Sequence, residues 1–158
     1  MSTIQILVDA DACPVKEEIY RVARRTGTAV KIVANAAIRV TPEPFVERIQ
    51  VSGSFDAADD WIAERAGAES IVITSDILLA DRCVKAGAVV LAPTGKPFTA
   101  ATIGNAVATR ALMADLRAMG DVTGGPAPFG KADRSRFLSA LDEAVNRLRR
   151  SPPPAQLR

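Results

Sequence analysis

Short apolar segments alternate with amphipathic segments along much of the chain, and this alternation predicts its secondary structure. Runs rich in Val and Ile predict buried strands, and apolar positions spaced three and four residues apart, often closed by Gly, predict helices. The predicted strands cover residues 4–8, 30–34, 49–51, 71–74 and 89–91. The predicted helices cover residues 15–26, 56–66, 78–86, 100–119 and 134–149.

Strands and helices alternate up to residue 91, and only helices follow. This order is typical of an α/β fold with a mostly parallel central sheet, flanked by helices in a three-layer α/β/α arrangement with added C-terminal helices. We predict a single α/β domain over residues 1–150. Residues 151–158 contain three consecutive prolines, and their composition predicts a disordered tail.

The chain contains no histidine, which limits the chemistry that an active site could use. Histidine-based acid–base catalysis, His-activated nucleophiles and the usual zinc sites are excluded. The net charge of +2 is too small to indicate a nucleic-acid-binding surface by itself. Any catalysis must therefore depend on carboxylates, lysine, cysteine, hydroxyl groups or a metal ion held by oxygen.

The N-terminal residues predict no signal peptide, and no apolar run approaches the roughly 20 residues needed to cross a bilayer. The two cysteines, Cys13 and Cys83, form no disulfide framework and are expected to be reduced. We therefore predict a cytoplasmic protein without a membrane segment. Cys13 precedes a predicted helix, and we interpret it as a small core residue and not as a reactive thiol.

Polar side chains follow nearly every predicted strand at the point where the strand ends. Because the carboxyl ends of parallel strands meet at one edge of a sheet, these side chains are expected to converge. Two carboxylates about 4 Å apart repel by roughly 4 kcal/mol at an effective dielectric constant of about 20, so a cluster of them favours a bound cation. Hard oxygen ligands suit Mg²⁺ or Mn²⁺. The polar residues that follow the predicted strands are, in chain order, Asp9, Asp11, Asn35, Asp56, Asp59, Asp60, Thr74, Ser75 and Asp76.

Helix capping is the alternative interpretation of these carboxylates. Asp11, Asp56 and Asp76 each lie near a predicted helix N-terminus, where Asp is favoured. Asp9 differs, because it ends an apolar strand and is followed two residues later by a second Asp. Asp56, Asp59 and Asp60 have a spacing that puts them on one helix face, which could also be a solvated face.

Five segments resemble the YaiI/YqxD family of bacterial proteins, and the resemblance extends over about residues 4–150. They are residues 8–14 (VDADACP), 33–35 (VAN) with Arg39, 55–59 (FDAAD), 73–77 (ITSDI) and 123–126 (TGGP). That family is grouped with PIN-like (NYN-like) domains, which are metal-dependent ribonucleases with an acidic active site.

The resemblance implies a PIN-like fold in which Asp9, Asp59 and Asp76 are catalytic. The same three carboxylates, assisted by Asp11, would hold Mg²⁺ or Mn²⁺. The fourth acid of the PIN-like pattern is absent, because residues 92–96 (APTGK) carry no carboxylate; Asp11 or Asp81 could substitute. PIN-like domains often form dimers, so a homodimer is also expected.

Several residues are candidates for binding the substrate. Backbone N–H groups of Gly124 and Gly125 could face a phosphate, although an ordinary turn between helices explains them equally well. Basic residues close in sequence could hold a nucleic-acid backbone. The full set of candidates is Asn35, Arg39, Thr74, Ser75, Gly124, Gly125, Lys131 and Arg134.

Three functions are therefore considered. The first is a Mg²⁺- or Mn²⁺-dependent nuclease that acts on RNA or single-stranded nucleic acid. The second is a non-catalytic PIN-like module that binds nucleic acid or protein. The third is a phosphatase of the haloacid dehalogenase type, because Asp9 and Asp11 also resemble its nucleophile motif, with Thr74 and Lys85 as its later motifs.

Overall fold

A six-stranded sheet forms the centre of the computed structural model, which describes residues 4–11, 13–36, 40, 42–53, 56–118 and 129–150. Neighbouring strands are parallel except for the last pair, and the order across the sheet is β3-β2-β1-β4-β5-β6. The strands are β1 (Gln5–Asp9), β2 (Ala29–Ala34), β3 (Val46–Gln50), β4 (Ser70–Ile73), β5 (Val89–Leu91) and β6 (Pro97–Phe98).

Helices cover both faces of this sheet, so the predicted three-layer α/β architecture is confirmed. One face packs against α1 and α5, and the other packs against α2, α3 and the first turn of α4. The helices are α1 (Lys16–Thr26), α2 (Ala57–Arg65), α3 (Ile77–Lys85), α4 (Ile103–Ala118) and α5 (Lys131–Arg150). In the described part of the chain, none of these helices is long and apolar enough to cross a membrane.

The first strand shows how the sequence sorts its side chains between the two layers. Ile6 and Val8 are fully buried against α1 and α5, whereas Leu7 is fully buried on the opposite face. Successive strand residues point to opposite faces, and burying each such aliphatic side chain contributes about 1.5–3 kcal/mol. Asp9 continues the series of Leu7, so its carboxylate points toward the α2 and α3 layer.

The order of the strands reverses between β1 and β4. The chain moves outward from β1 to β2 and β3, then returns to place β4 on the other side of β1. In open α/β sheets the crevice at such a reversal, beyond the carboxyl ends of the strands, is where ligands bind. We call this edge of the sheet, at the ends of β1, β2, β4 and β5, the carboxyl edge.

The strand β6 was not predicted from the sequence. It contains two residues, too few for a recognisable pattern, and it pairs antiparallel with β5 through a tight turn. The turn is closed by the N–H of Ala92, which donates to the carbonyl of Lys96 at 2.9 Å. Gly95 has φ +89°, and a Cβ there would lie 2.7 Å from the carbonyl carbon of Arg136, so the turn packs directly on the α5 backbone.

The remaining elements agree with the prediction to within a few residues. The edge strand β3 begins three residues earlier than predicted, because Glu47 and Arg48 are exposed and hide its pattern. The helix α4 begins at Ile103 and not at residue 100. In the turn before it, the hydroxyl oxygens of Thr99 and Thr102 each accept a hydrogen bond from the backbone N–H of the other residue. The predicted tail, residues 151–158, lies outside the described residues.

Candidate functional site

Asp9 and Thr74 connect the two strands between which the strand order reverses. The Thr74 hydroxyl donates a hydrogen bond to Oδ2 of Asp9 at 2.8 Å. Thr74 is buried and Asp9 is half-buried. Both residues follow the alternation of their strands toward the α2 and α3 layer. The bond therefore holds a carboxylate in the crevice at the carboxyl edge.

Asp76 links the start of α3 to the same hydrogen-bonded chain. Its Oδ1 accepts from the backbone N–H groups of Leu78 and Leu79 at 2.9 and 3.2 Å, so Asp76 is the N-cap of the helix. The N–H of Asp76 donates to the Thr74 hydroxyl oxygen at 3.0 Å. Because both cap bonds use Oδ1, Oδ2 has no hydrogen-bond partner in the described part of the chain.

Asp59 is brought to the carboxyl edge by the first turn of α2, which is capped from outside the helix. The side-chain oxygen of Asn35, just after β2, accepts from the N–H of Ala58 at 3.2 Å. Asp56 occupies the N-cap position but makes no side-chain cap bond. Through this hydrogen bond, Asn35 positions the turn that carries Asp59. A contact between Asn35 and substrate remains a prediction.

The carboxylates of this edge repel one another. Burial raises the pKa of Asp9, and the charges of Asp11 and Asp76 raise it further, whereas the hydrogen bond from Thr74 lowers it. Burial also raises the pKa of Asp59 to about 6, assisted by the charges of Asp76, Asp9 and Asp56. We call Asp9, Asp59 and Asp76 the acidic triad. Ionising all three carboxylates of the triad at the same time is therefore unfavourable.

Two other carboxylates on these helices are neutralised by ion pairs. Asp60 accepts from the guanidinium of Arg82 at 2.9 Å, which connects α2 to α3. Asp81 lies 2.9 Å from the ammonium of Lys85, one turn along α3. Arg82 thus pairs with Asp60, and its charge also lowers the pKa of the neighbouring Asp59. Asp81, considered as a substitute for the fourth acid, is engaged by its own cation.

The other predicted site residues surround the triad to different degrees. Asp11 is exposed, and its backbone N–H is hydrogen-bonded to the carboxylate of Asp9. Ser75 is exposed between Thr74 and Asp76. Arg39, Gly124 and Gly125 lie outside the described residues.

The predicted basic residues lie at the beginning of α5. Lys131 is exposed at its first position. Arg134 donates to the carbonyl oxygen of Pro14 at 2.7 Å and lies 3.5 Å from Glu18, so it fastens α5 to the start of α1. Arg134 therefore has a structural task in addition to its predicted contact with nucleic acid.

Helix capping was the alternative interpretation of Asp56, and the structure does not support it, because Asp56 occupies the N-cap position of α2 without a side-chain cap bond. Asn35 provides the cap instead, and the exposed Asp56 carboxylate is close enough to raise the pKa of Asp59. Its position after β3 and its three-residue spacing from Asp59 were the signals that predicted Asp56 at this edge of the sheet. No local pattern in the sequence indicates that Asn35, a residue after β2, provides the cap.

The donor set of this edge suits a hydrated divalent cation. Among the described residues, no three Asp, Glu or Cys side chains form a ready-made set of direct metal ligands. Mg²⁺ retains several waters and is usually held by only one or two carboxylates. The mutual repulsion of the triad and its all-oxygen character fit such a cation, because one positive ion would relieve the cost of three nearby negative charges.

The two thiols do not take part in this arrangement. Cys83 is fully buried in the α2 and α3 layer, and burial raises its pKa to about 11. Cys13 is half-buried against the α1 and α5 core, and burial raises its pKa as well. A raised pKa lowers the thiolate fraction, so the interpretation of Cys13 as a packing residue agrees with the structure.

Comparison with known proteins places these observations in a family. The chain is similar over most of its length to bacterial proteins named "UPF0178 protein". The relative from Sphingopyxis alaskensis is 68% identical over 151 residues, which cover 95% of this chain and 98% of the relative. The relative from Nitrobacter winogradskyi is 62% identical, with 96% of each chain covered. The relative from Rhodopseudomonas palustris BisB18 is 61% identical, and the matched region covers 96% of this chain and 97% of the relative.

No solved structure matches the chain. A family profile described as "Uncharacterized BCR, YaiI/YqxD family" matches residues 7–147, a span that runs from β1 to the last turn of α5 and includes every member of the acidic triad. The resemblance inferred from the five sequence segments is thereby confirmed, and the chain belongs to the YaiI/YqxD family.

Proposed function

We propose that this chain is a divalent-metal-dependent nuclease that hydrolyses phosphodiester bonds of RNA or single-stranded nucleic acid at the acidic triad. The observation that supports the proposal is the electrostatic coupling of Asp9, Asp59 and Asp76 at the carboxyl edge, in the crevice where the strand order reverses. The substrate class comes from the resemblance to PIN-like domains.

In this proposal Asp9 and Asp59 would hold Mg²⁺ or Mn²⁺, with the free Oδ2 of Asp76 close by. The cation would supply positive charge to a phosphodiester and an activated water at neutral pH, in a chain that has no histidine. The residues of the chain fix the orientation of the carboxylates. The Thr74 hydroxyl directs Oδ2 of Asp9, and the N–H of Asp76 directs Thr74 in turn.

Protonation of Asp59 sets the lower pH limit of such a site. Its pKa of about 6 means that the carboxylate carries a proton at acidic pH and is ionised above neutrality. A protonated carboxyl is a poor ligand for a hard cation, so metal affinity should rise as pH increases through 6.

The test is a cleavage assay with single-stranded RNA and Mn²⁺, comparing the wild type with Asp9→Asn and Asp76→Asn. Asn accepts the Thr74 hydrogen bond at position 9 and caps helices as well as Asp does at position 76, so both variants should remain folded. We expect each to lose activity by roughly a hundredfold or more. Asp81→Asn is the matched control, because it removes one charge from the same helix as Asp76. Unchanged activity in both triad variants would refute the assignment.

Calorimetric titration with Mn²⁺ tests the metal site without reference to activity. Wild-type protein and Asp81→Asn should bind Mn²⁺ at pH 7.5, and Asp9→Asn should bind it weakly or not at all. Equal binding by wild type and Asp9→Asn would place the metal elsewhere.

A non-catalytic module that binds nucleic acid is the second candidate, and one observation favours it. The strand β5 ends at Leu91, and residues 92–94, which follow it at the carboxyl edge, provide no carboxylate where the PIN-like pattern has its fourth acid. RNA that is bound tightly and stays uncut with Mg²⁺, Mn²⁺ and Ca²⁺ would support this candidate over the nuclease.

The structure gives less support to the phosphatase alternative. Lys85, which would represent a later motif of that class, is the last residue of α3 and pairs with Asp81. It lies about 12 Å along the helix from the end that meets the carboxyl edge. Its ammonium group is therefore directed to a different part of the molecule from Asp9.

A further inference from the structure

A groove adjoins the acidic triad on the side of the sheet where β6 lies. It has a volume of about 580 Å³ and opens between the start of α3, the strand β6 and the outer face of α4. Ile77, which lines it, directly follows Asp76 in the chain. Lys96, which also lines it, lies in the turn at the end of β5 and therefore at the carboxyl edge. The groove thus continues the crevice that contains the triad.

The groove combines an apolar floor with a positively charged rim. Ile77, Phe98 and Ala106 provide the apolar surface, and Phe98 is only half-buried. Lys96 and Arg110 are exposed at the rim, and neither makes an ion pair with any described residue. None of the described lining residues is acidic.

Several arginines elsewhere on the described surface are instead paired with carboxylates. Arg24, Arg82 and Arg136 each pair with a carboxylate of a neighbouring segment or turn. Two unpaired cations beside a half-buried aromatic ring attract a ligand that is both anionic and flat. Beside a phosphodiester-cleaving site, single-stranded nucleic acid has both properties.

We propose that this groove, between β6 and α4, binds the single-stranded RNA segment that adjoins the scissile phosphate. The proposal rests on the nuclease function and specifies its substrate subsite. Lys96 and Arg110 contact backbone phosphates, and a base stacks on the ring of Phe98. Asn105 and Thr109, on the exposed side of α4, supply hydrogen-bonding groups for base edges or the ribose hydroxyl.

The dimensions favour a single strand over a duplex. The groove volume is within the range of about 300–1,000 Å³ typical of small-molecule sites, which admits one or two unstacked nucleotides but not a helix of paired bases. Three strand spacings of about 4.8 Å separate β1 from β6, so the part of the groove formed by β6 lies roughly 14 Å across the sheet from β1. A base can reach the ring of Phe98 only if it is unstacked from its neighbours.

The test is fluorescence anisotropy with a labelled single-stranded RNA of about 12 nucleotides in EDTA, where no metal-dependent cleavage takes place. The double variant Lys96→Ala/Arg110→Ala should bind more weakly than wild type, by about tenfold. Its plot of log affinity against log salt concentration should lose roughly 1.4 of slope, the value expected for two lost phosphate contacts on a single strand. The matched control Lys85→Ala/Arg149→Ala removes the same charge from helix ends away from the groove and should bind like wild type.

A third variant isolates the stacking contact. Phe98→Leu keeps an apolar side chain of similar size for packing but removes the aromatic face, so affinity should fall by roughly fivefold or more. Phe98→Tyr should restore it. A thermal melt of each variant verifies that it is folded.

The outcomes separate this inference from the nuclease proposal. If the wild type cuts RNA and the double variant binds and cuts it equally well, the groove assignment is overturned and the nuclease function stands. If the wild type binds RNA through Lys96 and Arg110 but never cuts it with Mn²⁺, the nuclease function fails and the groove stands as a binding site. Equal affinity for duplex and single-stranded RNA, or no affinity for either, would overturn the groove assignment.

Discussion

Removing the charge of Asp59 should stabilise the protein at neutral pH, and this is the sharpest consequence of the acidic triad. The pKa of Asp59 is about 6 in the fold, against 3.8 for an unperturbed aspartate. Between pH 3.8 and about 6, the folded state therefore keeps a proton on Asp59 that the unfolded state has already released. Stability contributed by that proton is complete below pH 4 and is lost as pH rises through 6. The substitution Asp59→Asn imitates the protonated form at every pH.

The size of the effect follows from the pKa difference and from the exposure of the carboxylate. A fully buried group with this difference would change the free energy of unfolding by about 3 kcal/mol. Asp59 is partly open to solvent, and screening reduces the expected gain to about 1 kcal/mol. For a chain of this length that corresponds to an increase of roughly 2–4 °C in melting temperature.

The assay is a series of thermal melts of wild type and Asp59→Asn from pH 4 to pH 7.5 in EDTA. The two proteins should melt together near pH 4, and the variant should be more stable above pH 6.5. The control Asp81→Asn removes a carboxylate that is paired with Lys85, so it should not gain stability at any pH. A difference for Asp59→Asn that is absent at pH 7.5, or equally large at pH 4, would refute the reasoning.

Adding Mn²⁺ extends the same experiment. A cation that binds only the folded wild type at a hundred times its dissociation constant would stabilise it by about 2.7 kcal/mol, which exceeds the gain from the substitution. The order of melting temperatures should therefore reverse at pH 7.5. If Mn²⁺ raises both melting temperatures equally, Asp59 is not a ligand.

Three further substitutions test other parts of the site and its frame. Thr74→Val should lower Mn²⁺ affinity by roughly 10–100-fold in calorimetry, because Asp9 loses its hydroxyl donor, whereas Thr74→Ser should bind as wild type does. Asn35→Ala should lower the free energy of unfolding by about 1 kcal/mol in a urea titration through loss of the α2 cap. Gly95→Ala should cost about 2–4 kcal/mol in the same titration, because it combines a positive φ with a clash against α5; Gly67→Ala, which has open space, serves as its control.

Much of the fold could be predicted because its strands are short, strongly apolar and separated by clear helix patterns. The three central strands β1, β2 and β4 are buried on both faces, and such strands have nearly continuous runs of Val, Ile and Leu. The edges were harder to predict. Glu47 and Arg48 interrupt the pattern of β3, and the pair Pro97 and Phe98 is too short to have one.

The site could be predicted only in part, because strand ends show which residues reach an edge but not how they are paired there. Asp9 and Thr74 were placed correctly by the rule that strand ends converge. Whether Asp59 or Asp60 would meet Arg82 depends on the packing of α2 against α3, which no local pattern contains. The cap supplied by Asn35 comes from 23 residues before Ala58, beyond any helix signal in the sequence.

The hydrogen bond between Thr74 and Asp9 also bears on the order in which the molecule folds, since its partners lie 65 residues apart in the chain. Pairing β1 with β4 closes a long loop, and the entropy of closure must be met before any contact across the strand reversal forms. A nascent chain that ends after α2 already contains Asp9, Asn35 and Asp59, yet it lacks the strand that orients Asp9. The arrangement of the acidic site thus depends on a long-range contact, and it reports on whether β4 has joined β1.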